Sequence, residues 1–496
     1  FRRRPSGYCP LRVLSISDNE SGATKTLTCA NQDPLLANKP PCSVRLRGLW
    51  YDSPVEVGDL INVVEYASSE PISSGDERTS VPVGSGSEIV VVDDIRNLLV
   101  LHPDMLLSPS RISQCFPCMR KGVLGEVSPG GAPSKAAIMG TLKHEMFEAL
   151  VQGERCPSAS MIASTAHRVA TSHFDLLYAI ELSQTECETE LRSAGHVISS
   201  WMRQYLGLPL SDSSQPYLAK KSFSGKTNSV LKILRTKACE ESIWSPKWGL
   251  KGFVDATVEV AIESNDIAHV LDSRVRATMP LELKTGRQGA SNSTSHRAQL
   301  QLYSLMVADR YSSEQRGKKT LSAVGPRTDQ SGFLLYISTQ AAQASQLSQI
   351  RQTQEEIAIE CVPFRAPEVR SLIAARNRMA THLRNLASPA DSASASTSTM
   401  VKFQLPKMIR ATSKECSKCY QREVCTLMHA ALEGGSASSS RMDDAMWNET
   451  TRHLSPAATA YFQRWMQLVY LEMYSGSAAQ QVILSQSGSE RESATS

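Results

Sequence analysis

Trp248-Gly-Leu-Lys-Gly-Phe-Val-Asp255-Ala-Thr-Val-Glu-Val260, followed by Pro280-Leu-Glu282-Leu-Lys284-Thr-Gly286, is the stretch from which the fold reads. Both runs are apolar with an acid set inside them, and side chains on a strand alternate between its two faces. Glu282 and Lys284 therefore share a face of their strand, while Asp255 interrupts an apolar, β-branched one. One acid in a strand ordinarily sits on a wet face; an Asp strand followed by Glu-x-Lys is a tighter pattern. Two carboxylates suit a hard divalent ion such as Mg²⁺, which binds through one or two of them and keeps several waters. A lysine two residues on can hold or deprotonate an attacking water, while the ion stabilises charge building on an attacked phosphate.

Working outward, Gly140-Thr-Leu-Lys-His144-Glu-Met-Phe147 puts a histidine on a helix whose apolar face carries Leu142, Met146, Phe147 and Leu150. Downstream, His296-Arg297-Ala-Gln299-Leu-Gln301-Leu-Tyr303 sets Gln299 and Tyr303 four apart, on one helical face. Helical periodicity over Gly140–Val151, Ala163–Ser183 and Leu191–Tyr205 gives way to strands at Leu250–Ile262 and Leu271–Lys284. A helix at His296–Tyr311 and a strand at Gly332–Ser338 follow, the order of an α/β core. A further helix spans Ala366–Leu386, and a last amphipathic one Pro456–Tyr474. Short β-branched runs at Ser43–Trp50, Gly58–Glu65 and Glu88–Asp93 predict a small β-barrel ahead of all this, with Ser/Gly/Pro-rich inserts near 68–87, 388–399 and 434–440.

The chain has 496 residues, 53 Lys plus Arg against 49 Asp plus Glu, and a formal net charge of +4. That length holds about three domains. No run approaches the ~20 apolar residues of a membrane helix, which excludes a helical membrane protein. The charge balance is too mild to mark a nucleic-acid binder by itself, so such a partner must be argued from a site. The opening Phe1-Arg-Arg-Arg-Pro5 has no apolar core behind it of the kind a signal peptide carries, and the chain reads as a piece of a longer protein.

Twelve cysteines are scattered except for two groups, Cys115-Phe-Pro-Cys118 and Cys416-Ser-Lys-Cys419-Tyr-Gln-Arg-Glu-Val-Cys425. A secreted disulfide scaffold is shorter and denser in cysteine, so these read as thiols in an intracellular protein. The second group offers three soft ligands close enough for one metal centre, with a fourth from elsewhere. Cys156, Cys187, Cys239 and Cys361 read as packed thiols.

Together, the His on a helix, the Asp, the Glu-x-Lys and the Gln-x3-Tyr on the next helix resemble the motif series of the RecB-type branch of the PD-(D/E)xK nucleases. The resemblance implies Asp255, Glu282 and His144 as ligands of Mg²⁺ or Mn²⁺, with the backbone carbonyl of Leu283 completing the shell. It makes Lys284 the residue that orients or activates the water, and Gln299 and Tyr303 positioning groups near the substrate. The Pro common before the Asp in this branch is absent, at a loose position. Members of the branch close the domain with a [4Fe-4S] cluster held by one Cys before the motifs and three after, which implies Cys118, Cys416, Cys419 and Cys425, with Cys115 the alternative first ligand. Four thiolates also suit zinc, and spacing does not choose between the metals.

Three further passages resemble the amino-terminal half of the eukaryotic DNA replication nuclease-helicases, which trim Okazaki-fragment flaps and resect broken ends. They are Leu107-Ser-Pro-Ser-Arg-Ile-Ser running into Cys118-Met-Arg-Lys, Ile243-Trp-Ser-Pro-Lys-Trp-Gly-Leu leading to Asp255, and His453-Leu-Ser-Pro456 leading to Tyr461-Phe-Gln-Arg-Trp. The resemblance covers about Ser43 to Glu472. It implies an α/β, restriction-endonuclease-like PD-(D/E)xK core preceded by a small OB-like β-barrel. The boundaries are a leader of little order at 1–42, the barrel at 43–107, the nuclease core closed by the cluster at 108–430, and a linker and helix at 431–496 leading toward a helicase half of the same polypeptide.

The implied activity is that of a metal-dependent single-strand DNA endonuclease cutting 5′ flaps with the single-strand-binding protein RPA, in the nucleus and also the mitochondrion. Arg120 and Arg297 are the expected phosphate contacts and Tyr303 the expected stacking group. No phosphate loop occurs, since Gly317-Lys-Lys-Thr320 lacks the upstream Gly, and no ATP site is expected here. The rival from another class is a non-catalytic single-stranded-DNA scaffold stabilised by a four-cysteine metal centre.

Overall fold

The computed structural model describes residues 8–32, 40–67, 89–128, 134–153, 156–206, 218–220, 229–264, 275–286, 290–311, 331–337, 357–389, 401–409, 416, 419–440 and 442–485. They fall into two units, one of Phe1–Gly131, Ser245–Leu250 and Arg370–Ser496, the other of Ala132–Trp244 and Lys251–Val369. The Gly317–Thr320 stretch and most of the inserts expected near 68–87 and 388–399 lie outside the described residues. Among the described residues, no helix is long and apolar enough to cross a membrane.

In the first unit, β1 (Tyr8–Asn19), β2 (Thr24–Asn31), β3 (Cys42–Leu46), β4 (Leu60–Ala67), β5 (Ile89–Val92) and β6 (Arg96–Leu101) form one sheet in the order β5-β3-β2-β1-β4-β6. β5 and β6 are opposite edges of that order, yet only three residues join them, with Asp93 N donating to Arg96 O at 3.0 Å. The two edge strands are thus brought next to each other at that turn. Leu11, Val13, Leu27, Val44, Trp50 and Ile61 are buried in it.

The sheet begins at Tyr8, so the expected leader at 1–42 is corrected: it supplies two of the six strands. The period-two signal was broken by a register shift between Val13 and Ser15, which leaves Leu14 exposed beside buried Val13. Pairing with β2, four residues on, and with β4, distant in sequence, holds β1 in place. The helix Pro109–Gln114 starts where Ser-Pro-Ser predicts: Ser108 caps it by accepting from Arg111 N, and Pro109 takes the first position, where no N–H is needed. The insert expected at 434–440 is likewise corrected, since Ala437–Ser440 is a short helix whose Ser439 Oγ accepts from Ser436 N at 2.9 Å.

In the second unit, β7 (Leu218–Lys220), β8 (Ser229–Ser245), β9 (Leu250–Ser264), β10 (Val275–Lys284), β11 (Gly332–Ile337) and β12 (Ile357–Val362) form a mixed sheet in the order β12-β11-β10-β9-β8-β7. One face of the sheet carries Ala256, Val258, Leu281, Leu283, Phe333 and Leu335. Against it pack Leu142, Met146 and Phe147 of helix Lys135–Val151 and Ile198 and Trp201 of helix Gln184–Tyr205. Leu334 and Tyr336, of opposite parity, pack with Leu300 of helix Ala290–Arg310 on the other face. The single helix expected over Ala163–Ser183 is two, Ala159–Ser172 and Phe174–Ala179, broken at His173.

Within the first unit, the second half of helix Ala366–Arg384 is tied down by one buried cation. Arg376, fully buried, donates to the carbonyls of Gly249, Leu101, His102 and Met105. Gly249 has φ of 61°, and a Cβ there would stand 2.2 Å from Arg376 Nη2, so only glycine fits beside the guanidinium. Asn377 adds both halves of its amide, accepting from Leu101 N at 2.9 Å and donating to Leu99 O at 2.7 Å. Replacing Arg376 by Met leaves these carbonyls without a donor in a buried place. It is expected to cost about 3 kcal/mol or more, seen as a lowered urea midpoint. An unchanged midpoint would show that the cradle is not holding this unit.

Candidate metal centre and cysteine centre

The second unit gathers the acids and the lysine through sheet register. β9 and β10 run antiparallel with Leu281 opposite Ala256 and Pro280 opposite Thr257. With alternation, this turns Asp255, Glu282 and Lys284 away from the face holding Ala256 and Leu281, toward helix Ala290–Arg310. Asp255 Oδ2 accepts from the amide of Leu283 at 2.6 Å. Glu282 Oε1 accepts from Lys284 Nζ at 2.6 Å and from Gln299 Nε2 at 2.7 Å, and Gln299 Oε1 accepts from Lys284 at 3.0 Å. The three side chains close a ring of hydrogen bonds, while the buried Glu282 Oε2 has no hydrogen-bond partner among the described residues. Burial, and after it the charge of Asp255, pushes the Glu282 carboxyl above the usual range.

His144 comes from helix Lys135–Val151, its Nδ1 3.2 Å from Asp255 Oδ1 and 3.9 Å from Glu240 Oε1. Donor atoms of His144, Glu240 and Asp255 lie within 4.8 Å of one another. Burial alone lowers the His144 pKa, but its contacts with Asp255 and Glu240 and the charges of Asp255 and Glu282 outweigh that and raise it to about 10.

Glu240 was not among the residues read from the sequence. Along β8, Cys239 packs against the core on one face, while Glu241 bonds Thr257 Oγ1 at 2.6 Å and Tyr311 Oη at 2.9 Å. Thr257 has the parity of Asp255, so Cys239 and Glu241, two apart, face opposite sides of the sheet. The strand changes phase between them at Glu240, which sits at φ of 45°, a left-handed conformation uncommon for a non-glycine residue. The signal available in the sequence was the pair of adjacent acids, Glu240-Glu241, inside the run Leu231 to Ile243.

The expected nucleic-acid contacts fare differently. Tyr303 is buried and its hydroxyl accepts from Gln299 Nε2 at 3.5 Å, so its ring is not presented for stacking. Arg297 is half-exposed and ion-paired with Glu360. Arg120 is 1% exposed and bound to Glu433, so its placement on a phosphate is corrected. Exposed aromatics among the described residues of the second unit include Phe174, Tyr178, Trp244 and Phe253, none of which the sequence reading assigned to stacking.

In the first unit, Cys118, Cys416, Cys419 and Cys425, all thiols, line one cavity together with Arg120 and Lys121. Cys118 heads helix Met119–Val127, its carbonyl accepting from Lys121 N, and Cys425 belongs to helix Arg422–Leu432. Tyr420 ties the surrounding segments, donating to Gln114 Oε1 at 2.7 Å and accepting from Arg111 Nη1 at 3.0 Å. Cys115 lies elsewhere, its sulfur 3.5 Å from both Arg111 O and Met379 Sδ, and burial pushes its thiol up to about 12. Cys118 lines the cavity with the other three cysteines and Cys115 does not, which sets Cys118 rather than Cys115 beside that group.

These features define a mixed α/β protein with a buried carboxylate–lysine–glutamine ring beside a histidine, and a separate four-cysteine centre. Residues 37–260 match the family described as DNA replication factor Dna2. The chain is 29% identical over 474 residues to the DNA replication ATP-dependent helicase/nuclease DNA2 of Mus musculus, covering 93% of this chain and 38% of that protein. It is 30% identical over 440 residues to that of Bos taurus, covering 87% and 35%. To that of Saccharomyces cerevisiae it is 25% identical over 502 residues, covering 98% and 28%. The chain is similar to these relatives along most of its own length and spans well under half of theirs.

A metal-free preparation is expected to show the His144 imidazole titrating well above the ordinary 6.5, toward about 10. Because that pKa is raised, the ion pair's contribution to stability is complete below pH 6.5 and is lost as pH rises through 10. Asp255→Asn should return the titration toward 6.5 in histidine proton NMR; a wild-type midpoint already near 6.5 rules out the pairing.

Proposed function

We propose that this chain is a metal-dependent nuclease that hydrolyses phosphodiester bonds in single-stranded DNA, the nuclease part of a nuclease-helicase acting in DNA replication. The observation that carries the reading is Glu282, buried, with one oxygen held by Lys284 and Gln299 and the other without a hydrogen-bond partner among the described residues. Leaving a buried carboxylate oxygen unpartnered is costly; a divalent cation is the partner that hard oxygen donors suit. Asp255, Glu282, His144 and the carbonyl of Leu283 would hold it, and Glu240 offers a further carboxylate, grouped with His144 and Asp255. When bound, such an ion stabilises the charge that develops on the attacked phosphate.

The remaining work falls to the chain's own side chains. Lys284, fixed by Glu282 and Gln299, presents Nζ to orient the attacking water and manage its proton. Gln299 keeps Lys284 from swinging away, and Tyr303 backs Gln299. Water oxygen bonds to phosphorus, the bond to the leaving sugar oxygen breaks, and a proton passes to that oxygen. The chemistry is directed at the phosphate, which every nucleotide carries, so cutting is expected to be indifferent to sequence. The relatives named above are each called a DNA replication helicase/nuclease. Together with the motif resemblance, that supports action on 5′ flaps and broken ends in the nucleus, in company with RPA and a helicase half.

We also assign Cys118, Cys416, Cys419 and Cys425 to a [4Fe-4S] cluster. An all-sulfur donor set around a common cavity, with an N–H donated to one of the sulfurs, fits such a group.

The test is cleavage of end-labelled 5′-flap DNA in Mg²⁺. Glu282→Ala is expected to cut about 10²-fold more slowly or less; equal cutting by both proteins sinks the assignment. If neither cuts while both bind the flap, a DNA-binding scaffold replaces the nuclease. Cys419→Ala is expected to lose its iron along with DNA binding and cutting, and full iron content in that variant removes the cluster assignment.

A further inference from the structure

The guanidinium of Arg120 does more than fill space between helices. Nη1 and Nη2 form a two-pronged pair with Glu433 at 2.7 and 3.0 Å, and Nη1 also reaches Pro406 O at 3.1 Å. These contacts already satisfy a buried arginine's demand for a counter-charge. The donor on the stem side of the guanidinium, Nε, is thereby aimed, and it points at Cys425 Sγ, 3.2 Å away. Arg120 sits two residues after Cys118 and touches Cys425, so one cation lies against the cavity that all four cysteines line. Glu433 lies one contact further out, held on its other side by His429 Nδ1 at 2.6 Å, whose Nε2 meets Ser439 Oγ at 2.8 Å.

From this geometry we infer that Arg120 is a positioning residue that sets the reduction potential of the metal–sulfur group, with Glu433 as its counterweight; the inference rests on the iron–sulfur reading above. Hydrogen bonds to ligand sulfurs and nearby charge are principal determinants of cluster potential. A buried cation donating to a thiolate withdraws electron density and favours the reduced cluster, and the effect is large because little water screens it. A carboxylate behind the cation opposes it from a greater distance. The arrangement therefore makes a signed prediction that a purely structural salt bridge does not.

The experiment is protein-film voltammetry on the whole chain, covering oxidative and reductive couples, with iron and zinc content measured on each sample. Arg120→Gln is expected to keep its iron and shift the potential to more negative values. Glu433→Gln, which leaves Arg120 in place with its charge less compensated, is expected to shift it to more positive values. Arg120→Lys, keeping the charge without the aimed Nε–H, should fall between wild type and Arg120→Gln. Iron-loaded variants with potentials unmoved, or moved in the same direction, overturn the inference. Should Arg120→Gln fail to fold, the sign of the Glu433→Gln shift decides alone. Wild-type protein carrying zinc in place of iron overturns the cluster reading itself, a result visible before any variant is made.

Discussion

The antiparallel register of β9 on β10 is the constraint on which the candidate centre hangs. With Leu281 opposite Ala256, the two buried acids come to one face and the apolar partners to the other. A slip of one residue would exchange the faces, driving Glu282 and Lys284 into the core of Phe147 and Trp201 and turning Leu281 and Leu283 toward Gln299. Burial of a carboxylate costs several kcal/mol unless it is paired. The register that is right for the chemistry is therefore also the one that the hydrophobic core enforces. The parallel pairing of β10 with β11, Glu282 beside Leu334, repeats the constraint from the other side.

Much of this was legible in the sequence, because alternation is a local property. Val-Asp255-Ala-Thr-Val and Leu-Glu282-Leu-Lys284 each declare their faces within five residues, and the helical spacing of Gln299 and Tyr303 is equally local. What stayed hidden depends on departures from regularity. β1 was concealed by its own bulge, and β8 by lying among polar and charged residues such as Lys237, Glu240 and Glu241. Glu240 became visible only because its backbone enters a left-handed conformation, which moves a carboxylate to where regular alternation would not bring it. Such strain is held by surrounding structure and collects at functional sites. Burial was the other blind spot: nothing local in Cys-Met-Arg120 says that the arginine is enclosed, because its partner Glu433 is 313 residues away.

Two of the buried arginines of the first unit, Arg376 and Arg120, show why composition is a poor guide. Arg376 is satisfied by carbonyl oxygens alone and spends its charge on backbone geometry, with Gly249 cleared to admit it. Arg120 is satisfied by a carboxylate and a carbonyl and directs its last donor to a sulfur. Both count equally in a net charge of +4, and neither contributes to a basic surface. Any attraction to a phosphate backbone must come from other side chains, which agrees with a chain too mildly charged to bind nucleic acid by bulk electrostatics.

In the metal-free centre, protons and cations compete for the same negative charge. Asp255, Glu240 and Glu282 formally carry three negative charges beside the positive charges of Lys284 and a protonated His144. The His144 pKa is raised because two of those acids surround it, and the Glu282 pKa is raised because burial and Asp255 disfavour its anion. These are two expressions of one excess: negative charge confined in a poorly solvated place draws in protons at whichever group can take them. A divalent cation relieves the same excess more completely than a proton on His144 does, since it also gives the orphaned Glu282 oxygen a partner. Were His144 to ligate the proposed ion, uptake would release a proton from the imidazole. Apparent metal affinity at such a centre strengthens as pH rises toward the histidine's own pKa, a dependence arising from the fold's choice to place His144 against Asp255 rather than in open water.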